Sequence, residues 1–186
     1  MSKRQYLFVM LVTILSVSYQ FVQGAAAADN GLPRTGWIKQ FTVIEPKGPA
    51  PDVKFTNGNG EKITLADFRG RVLLLNFWAT WCAPCIKEMP GLDKLQAKFG
   101  SDDFQVVAVN EDRGGANVAA SFLQKLGTMN LSVFADDKMK LMRALNVRGL
   151  PTSFLLDRKG RIVGKLVGVA EWNTPEAEAL ITYYMK

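Results

Sequence analysis

Continuous apolar runs alternate with stretches of helical periodicity along most of the chain. Residues 72–77 are apolar apart from Asn76, and residues 104–109 are apolar apart from Gln105. Such runs are typical of strands that are covered on both faces. Further strands are predicted at residues 131–135, 152–156 and 161–168. This order predicts an α/β sandwich with a mixed central sheet flanked by helices.

Four helices are predicted between and after these strands. They begin after Cys85, cover residues 117–126, run from Asp136 or Asp137 to Leu145, and run from Thr174 to the C-terminus. Three of them carry an apolar stripe at three- and four-residue spacing. The stripes are Ile86, Met89, Leu92, Leu95 and Phe99; Val118, Phe122 and Leu126; and Ala177, Leu180, Ile181 and Tyr184. Gly127 is a typical helix stop, and Thr174 followed by Pro175 is a typical start.

Two features precede the central sheet. Residues 29–52 are rich in Gly and Pro, so we expect a linker or N-terminal extension, within which residues 37–44 form a short helix or strand docked on the domain. Residues 53–65 are predicted to form a β-hairpin because Asn57-Gly58-Asn59-Gly60 supplies the positive φ angles of its turn. This hairpin is expected as an N-terminal extension of a domain spanning residues 53–186.

The first 28 residues have the pattern of an export signal. Lys3 and Arg4 precede an apolar stretch, and residues 25–28 are four alanines. A basic start, an apolar middle and a small-residue exit are typical of a secretory signal peptide. Residues 7–28 are also long enough to remain as a membrane anchor. Under either interpretation the folded domain lies in the periplasm, free or tethered to the inner membrane.

Composition excludes several classes of chemistry. The 186 residues include no histidine, which rules out Ser-His-Asp and Cys-His nucleophiles and histidine-held zinc, copper or haem. Lys and Arg number 23 against 17 Asp and Glu, a net charge of +6, but the basic residues are scattered singly. We therefore expect no nucleic-acid partner and no metal site.

The only two cysteines, Cys82 and Cys85, lie three positions apart where a strand gives way to a helix. The unpaired N–H groups and the positive dipole end of a helix start stabilise a thiolate, which makes Cys82 the candidate nucleophile. Cys85, one turn later, is placed to attack a mixed disulfide formed on Cys82. Pro84 is tolerated in the first turn because no N–H donor is needed there.

A Cys-x-x-Cys pair also fits a structural disulfide or half of a metal site. No further Cys or His is present to complete a four-coordinate zinc site. Ile86 stands where a haem-attachment motif requires histidine. So short a loop gives a structural disulfide little entropic stabilisation. The spacing favours redox chemistry and leaves the structural and metal-binding alternatives open.

Several motifs together resemble a known family. They are Asn-Phe-Trp-Ala-Thr-Trp-Cys-Ala-Pro-Cys at residues 76–85, then Glu88 and Pro90, then Gly149-Leu150-Pro151-Thr152, and finally Glu171-Trp172. From about residue 53 to the C-terminus, the chain resembles the thioredoxin-like family, and most of all its exported TlpA/ResA-like thiol:disulfide interchange proteins. The resemblance implies a thioredoxin-like fold.

The resemblance also implies roles for single residues. Pro151 matches the family's cis-proline, which faces the disulfide, and the backbone of Leu150 is expected to pair with an extended client segment. Glu88 lies on the same helix face as Cys85 and matches a glutamate that tunes the thiols and shuttles protons in reducing members. Asn76 replaces the buried aspartate of cytoplasmic thioredoxins, so the proton role is expected to fall on Glu88.

The implied activity is that of a dithiol-disulfide oxidoreductase that works as a reductant. Cys82 attacks a client disulfide, Cys85 resolves the mixed disulfide, and Glu88 handles the proton. The client is expected to contact Trp81, Ala83, Pro84, Leu150 and Pro151. No cofactor beyond the cysteine pair is expected, and a membrane thiol donor must re-reduce it in an oxidising compartment.

The family's clients are apocytochrome c, or the copper-site cysteines of an oxidase subunit and its copper chaperone. Members dedicated to cytochrome c maturation often have Glu after the cis-proline, whereas Thr152 follows Pro151 here. Oxidase assembly is therefore slightly favoured, and a monomer is expected. Two alternatives stay open: a disulfide oxidase or isomerase, and a non-catalytic module that binds Cu(I) or a partner.

Overall fold

The computed structural model describes residues 31–32 and 35–186. Within these residues lie eight strands, four α-helices and two 3₁₀ helices. The strands are β1 (Thr42–Pro49), β2 (Phe55–Asn57), β3 (Lys62–Ile63), β4 (Val72–Trp78), β5 (Phe104–Asn110), β6 (Phe134–Ala135), β7 (Thr152–Leu156) and β8 (Arg161–Val167). The helices are α1 (Ala83–Phe99), α2 (Gly115–Leu126), α3 (Lys140–Ala144) and α4 (Pro175–Met185), with 3₁₀ helices at Gly36–Gln40 and Leu65–Phe68.

All eight strands form one sheet in the order β1-β8-β7-β4-β5-β6-β2-β3. Strands β4, β5 and β6 are parallel, and the other neighbours pair antiparallel. The predicted mixed central sheet is therefore confirmed. Because β4 has β5 on one side and β7 on the other, the segment that follows β4 leaves the middle of the sheet.

Strand β4 is central because both of its faces are apolar and covered. All seven of its residues are buried. Leu74 and Trp78 face the core layer formed with α1, α2 and α4, whereas Leu75 and Phe77 face the layer that includes α3. Burial of each such side chain stabilises the fold by about 1.5–3 kcal/mol. Packing of these two core layers on its faces fixes the position of the end of β4, and therefore the position at which α1 starts.

The predicted linker at residues 29–52 is corrected by the structure. Residues 36–49 are part of the domain, because β1 pairs with β8 along the edge of the sheet. Phe41 is buried against Gly164, where any side chain would collide with its ring. An edge strand tolerates the proline and glycine that suggested a spacer, since its outer N–H groups need no partner strand. The domain therefore begins before residue 53.

The docking predicted for residues 37–44 is confirmed. Trp37 lies edge-on to Trp172, with ring centroids 5.2 Å apart. Its indole N–H donates to the Thr174 hydroxyl at 2.9 Å. The Thr174 oxygen also accepts from the Ala177 N–H at 3.4 Å, as expected of the cap of α4. The N-terminal segment is thus fastened to the last helix.

Three local predictions differ from the structure. Val118, predicted to face inward on α2, is 37% exposed, and the buried positions are Ala119 and Leu123. The strand predicted at 131–135 is shortened to Phe134–Ala135. Helix α3 is only five residues long, although the carboxylate of Asp136 does accept from the Leu141 N–H at 2.6 Å, as predicted for its start.

The hairpin at residues 53–65 is confirmed, with β2 and β3 paired around the Asn-Gly turn. Its β2 strand also pairs with β6, so the hairpin completes the sheet edge rather than standing apart from it. The signal or anchor predicted at residues 1–28 lies outside the described residues. None of the helices in the described part of the chain combines the length and the apolar character needed to cross a bilayer.

Candidate active site

The two cysteines lie at the start of α1, directly after the central strand. Cys82 is the cap of this helix, and its sulfur accepts from the Cys85 N–H at 3.3 Å. The two residues form a disulfide, with Cα atoms 5.3 Å apart. Cys82 is 5% exposed, whereas Cys85 is fully buried, so Cys82 is the more accessible of the two residues. The roles of Cys82 as nucleophile and Cys85 as resolving thiol stay predictions, with which this difference in exposure is compatible.

An aspartate from the neighbouring strand end holds the turn that leads to Cys82. Asp112 follows β5, and its carboxylate accepts from the backbone N–H and the hydroxyl of Thr80 at 2.8 and 3.0 Å. Asn110 also donates to this carboxylate, at 2.7 Å. The Cys82 N–H in turn donates to the Ala79 carbonyl at 3.1 Å. These bonds position the active-site turn, and the motif at residues 76–85 gave no sign of Asp112.

The loop before β7 lies at the same end of the sheet as the active-site turn. Thr152, the first residue of β7, pairs with Phe77 near the end of β4. Leu150 and Pro151 therefore lie beside the point where β4 leads into the active-site turn. The peptide bond between them is cis, which confirms the geometry that the resemblance implied.

Two hydrogen bonds hold this loop. The Thr152 hydroxyl donates to the Gly149 carbonyl at 2.8 Å, and the Gly168 N–H donates to the Pro151 carbonyl at 2.9 Å. Because the Thr152 hydroxyl closes its own loop, it is already engaged within the domain. The roles of Leu150 and Pro151 in client binding stay predictions.

Apolar side chains are exposed around this end of the sheet, next to the cysteines. Trp81, immediately before Cys82, is 67% exposed, and Ala83 and Pro84 after it are exposed as well. An open groove of about 600 Å³ separates Trp81 from α2 and is lined by Phe122. Exposed apolar surface beside a reactive group is typical of a surface that contacts other proteins. Contact of Trp81, Ala83 and Pro84 with a client stays a prediction.

Glu88 lies one turn beyond Cys85 on α1, where it is buried. One carboxylate oxygen accepts from the Ala170 N–H, and the other accepts from the Asn76 amide at 3.3 Å. Burial raises the pKa of Glu88 to about 7, and the hydrogen bonds from Ala170 and Asn76 act in the opposite direction. A carboxyl with this pKa can accept or release a proton near neutral pH.

A second buried acid, Glu111, lies at the end of β5 and was not singled out in the sequence. Its backbone N–H donates to the Trp78 carbonyl at 2.9 Å. Neither carboxyl oxygen has a hydrogen-bond partner among the described residues. Burial, followed by the charge of Asp136, raises the pKa of Glu111 to about 9, whereas Arg143 lowers it. The only sequence signal is an acid placed directly after a buried strand.

The described residues contain no cluster of three or more His, Cys, Asp or Glu side chains able to hold a metal ion. The arrangement that remains is a helix-capping disulfide with one buried carboxyl behind it and an apolar rim in front of it. This arrangement can exchange a disulfide with another chain and move a proton while doing so.

A protein-family model, Redoxin, matches residues 45–181. The thiol-disulfide oxidoreductase ResA of Bacillus subtilis is 30% identical over 189 residues, covering 100% of this chain and 94% of the relative. The ResA of Geobacillus kaustophilus is 31% identical over 166 residues, covering 89% of this chain and 90% of the relative.

Solved structures agree with these matches. The crystal structure of a thiol:disulfide interchange protein DsbE from Chlorobium tepidum has a TM-score of 0.67 at 36% identity, covering 75% of this chain and 98% of the other. StoA from Bacillus subtilis has a TM-score of 0.57 at 28% identity, covering 69% and 98%. The thioredoxin-like fold predicted from the motifs is therefore confirmed.

Proposed function

The chain belongs to the Redoxin family and is a thiol-disulfide oxidoreductase, and from this premise we propose that it acts in the periplasm as a reductant of client-protein disulfides. The observation that carries the proposal is the position of Glu88. A buried carboxyl with a pKa of about 7 lies one turn behind the resolving cysteine, Cys85. Resolution of a mixed disulfide requires a proton acceptor at that sulfur.

The reaction begins with Cys82 as a thiolate, its proton released to solvent, and Cys85 as a thiol. The Cys82 thiolate attacks one sulfur of the client disulfide, forming a mixed disulfide and releasing the client's first sulfur as a thiolate, which takes up a proton. Glu88 accepts the proton of Cys85, whose thiolate then attacks the Cys82 sulfur. The second client thiolate leaves and is protonated. Two electrons have passed to the client, and the Cys82–Cys85 disulfide remains.

The oxidised product must be recharged before another turnover. In an oxidising compartment the pair does not regain its electrons spontaneously. A membrane thiol donor supplies two electrons and two protons by the same exchange in reverse. Anchoring through residues 1–28 would keep the domain close to such a donor.

The client is expected to lie across Trp81, Ala83 and Pro84 and to pair with the backbone at Leu150 beside Pro151. Val167 and Val169 flank the Gly168 that bonds Pro151, and they are 62% and 48% exposed. This apolar surface supports binding of an extended segment, with specificity coming from side chains that alternate along it.

We favour copper-site cysteines of a respiratory oxidase subunit or its copper chaperone as clients, with apocytochrome c as the second candidate. Thr152 carries no charge, is buried, and uses its hydroxyl within the loop. The position after Pro151 therefore offers no carboxylate to a client, unlike family members dedicated to cytochrome c maturation.

The direction of electron flow is tested by the reduction potential of the full chain, equilibrated in thiol buffers of known potential. We expect a value below about −200 mV, in the range of reducing members of the fold, and a value near about −120 mV would mark an oxidant instead. Insulin reduction fed by dithiothreitol should be lost in Cys82→Ser. Retention of one equivalent of Cu(I) without insulin reduction would instead favour the copper-binding module.

The client is identified by trapping. A Cys85→Ala variant expressed in the native envelope should accumulate mixed disulfides on Cys82, because no thiol remains to resolve them. The matched control, Cys82→Ala with Cys85→Ala, should trap nothing. Recovery of copper-site proteins supports oxidase assembly, recovery of apocytochrome c supports the second candidate, and equal recovery from both variants would contradict a dedicated reductase.

A further inference from the structure

The side-chain amide of Asn76 lies beside Glu88 and donates hydrogen bonds to two residues. Asn76 is in the middle of β4 and pairs across the sheet with Ser153 of β7. Its Nδ2 donates to Glu88 Oε2 at 3.3 Å and to Ser153 Oγ at 3.0 Å. Asn76, Ser153 and Glu88 are all buried. The carboxylate thus receives an N–H donor from a rigid central strand.

The remaining atom of this amide shows what sets its orientation. Asn76 Oδ1 is buried and has no hydrogen-bond partner among the described residues. An unpaired buried acceptor costs free energy, so the two donations by Nδ2 must outweigh it. The reversed amide would place Oδ1 against the carboxylate, with one acceptor facing another. The observed orientation therefore suits an ionised Glu88.

We propose that Asn76 and Ser153 form a positioning pair that holds Glu88 in its ionised, proton-accepting form. Ser153 fixes the amide by accepting from Nδ2, and Asn76 then presents a donor to the carboxylate. Both residues act through Glu88 rather than on the sulfurs. The inference rests on the proposed function only in assigning the proton of Cys85 to Glu88.

Charged groups do not offer a competing explanation within the described residues. The causes of the raised Glu88 pKa are burial, opposed by the Ala170 N–H and the Asn76 amide, with no charged side chain among them. Lys87, which precedes Glu88, and Glu171, which follows Ala170, are exposed. On α1 itself, the neighbouring Cys85 is held in the disulfide.

Removing the Asn76 donor should leave Glu88 a less compensated buried acid. Without the Asn76 amide, only the Ala170 N–H would still oppose burial. In Asn76→Leu, we expect the titration midpoint of Glu88 to rise by about one to two pH units. Ser153→Ala leaves the amide in place but frees its orientation, so a smaller rise is expected. Ser153→Thr keeps the hydroxyl acceptor and should titrate like the wild type.

The test measures Glu88 directly by NMR of the side-chain carboxyl in the oxidised full chain, across pH. The second measurement is the pH profile of kcat/KM for insulin reduction, whose acid limb should move with the NMR midpoint. At a pH below both midpoints, a midpoint that is higher by one pH unit corresponds to about tenfold less ionised Glu88. A merely structural role for the pair would lower stability without moving either pH midpoint.

The outcomes separate the two proposals. If folded Asn76→Leu and Ser153→Ala keep the wild-type midpoint, the positioning pair is wrong, whatever the activity. If the midpoint rises but the pH profile stays fixed, the pair is supported and the proton role of Glu88 is wrong. If Asn76→Leu does not fold, the comparison of Ser153→Ala with Ser153→Thr decides: equal midpoints overturn the inference, and a rise in the alanine variant alone supports it.

Discussion

Two buried glutamates, Glu88 on α1 and Glu111 after β5, differ in their hydrogen bonds and in the charges near them. Glu88 and Glu111 are 3% and 1% exposed. Glu88 receives a backbone and an amide N–H, whereas Glu111 has no hydrogen-bond partner for its carboxyl among the described residues. Burial raises the pKa of both, but to about 7 in Glu88 and about 9 in Glu111.

The difference teaches that burial alone does not make a useful proton acceptor. An uncompensated carboxyl is protonated throughout the neutral range and cannot take a proton from a thiol. Two donors bring Glu88 back to the pH at which accepting and releasing a proton are both accessible. The surroundings of Glu111 act the other way, since the nearby charge of Asp136 raises its pKa further.

The largest expected effect is on catalysis. Glu88→Gln keeps the size and one acceptor oxygen of the side chain but removes the titrating group, so kcat/KM for insulin reduction near pH 7 should fall about a hundredfold. Glu111→Gln is the matched control, because it makes the same chemical change at the other buried site. Its kcat/KM should stay close to that of the wild type. Equal losses in the two variants would break the comparison.

The next effect is on stability. In the unfolded chain both carboxyls ionise near their ordinary pKa of 4.5, but folded Glu111 stays protonated up to about pH 9. Unfolding in this window releases a proton, so rising pH favours the unfolded state. Glu88 contributes in the same direction but only up to about pH 7. The stability that each protonated glutamate contributes is fully present below a pH of about 4.5. It is lost as the pH rises through the pKa of that residue in the folded chain.

Between pH 7 and 9 the pH dependence of stability therefore comes from Glu111 and no longer from Glu88. The free energy of unfolding of the oxidised full chain should fall in this window by about 1.4 kcal/mol per pH unit from Glu111. Urea denaturation across pH checks this slope. Glu111→Gln should flatten the curve between pH 7 and 9. Glu88→Gln should keep the slope in that window and only reduce the steeper slope below about pH 7, where Glu111 still contributes. A wild-type curve that is already flat from pH 7 to 9 would contradict the raised pKa of Glu111.

The two glutamates also differ in whether the sequence predicted them. Strand β4 and helix α1 were predictable because a continuous apolar run and a 3.6-residue stripe are local signals. The motif at residues 76–85 located the cysteines, and the family resemblance pointed to Glu88. Nothing local distinguished Glu111, since an acid after a strand is usually solvated, and its burial arises only when β6 and α3 pack beside β5.

The sequence predicted a short helix or strand at residues 37–44, but the extent of β1 (Thr42–Pro49) was missed for a related reason. Its Gly and Pro content is that of a spacer, and its pairing depends on contacts more than 100 residues away, such as Val43 with Gly164. Phe41 lies over the same glycine. Edge strands gain their stability from such tertiary contacts rather than from their own composition. Sequence periodicity could therefore not give the bounds of this strand.

A smaller effect is expected from the charges around Glu111. Asp136 is the second cause of its raised pKa, after burial. Asp136→Asn removes the negative charge but keeps an oxygen that can accept from the Leu141 N–H at the start of α3. The pKa of Glu111 should fall below about 9, which NMR titration of its carboxyl would detect, while the midpoint of Glu88 stays unchanged. A shift of both midpoints would mean that the two sites are coupled.

The smallest expected effect comes from Arg143, which among the described residues is the one neighbour that lowers the pKa of Glu111. Arg143 is exposed, and its guanidinium donates to the Lys138 carbonyl, so its attraction for Glu111 acts partly through solvent. Arg143→Gln should raise the pKa of Glu111 slightly, and salt should reduce the difference between variant and wild type because mobile ions screen an exposed charge. NMR titration at low and high ionic strength checks both points. A difference that persists at high salt would show that Arg143 acts on Glu111 by direct contact, and Glu111 would then be a carboxyl that is partly compensated, as Glu88 is.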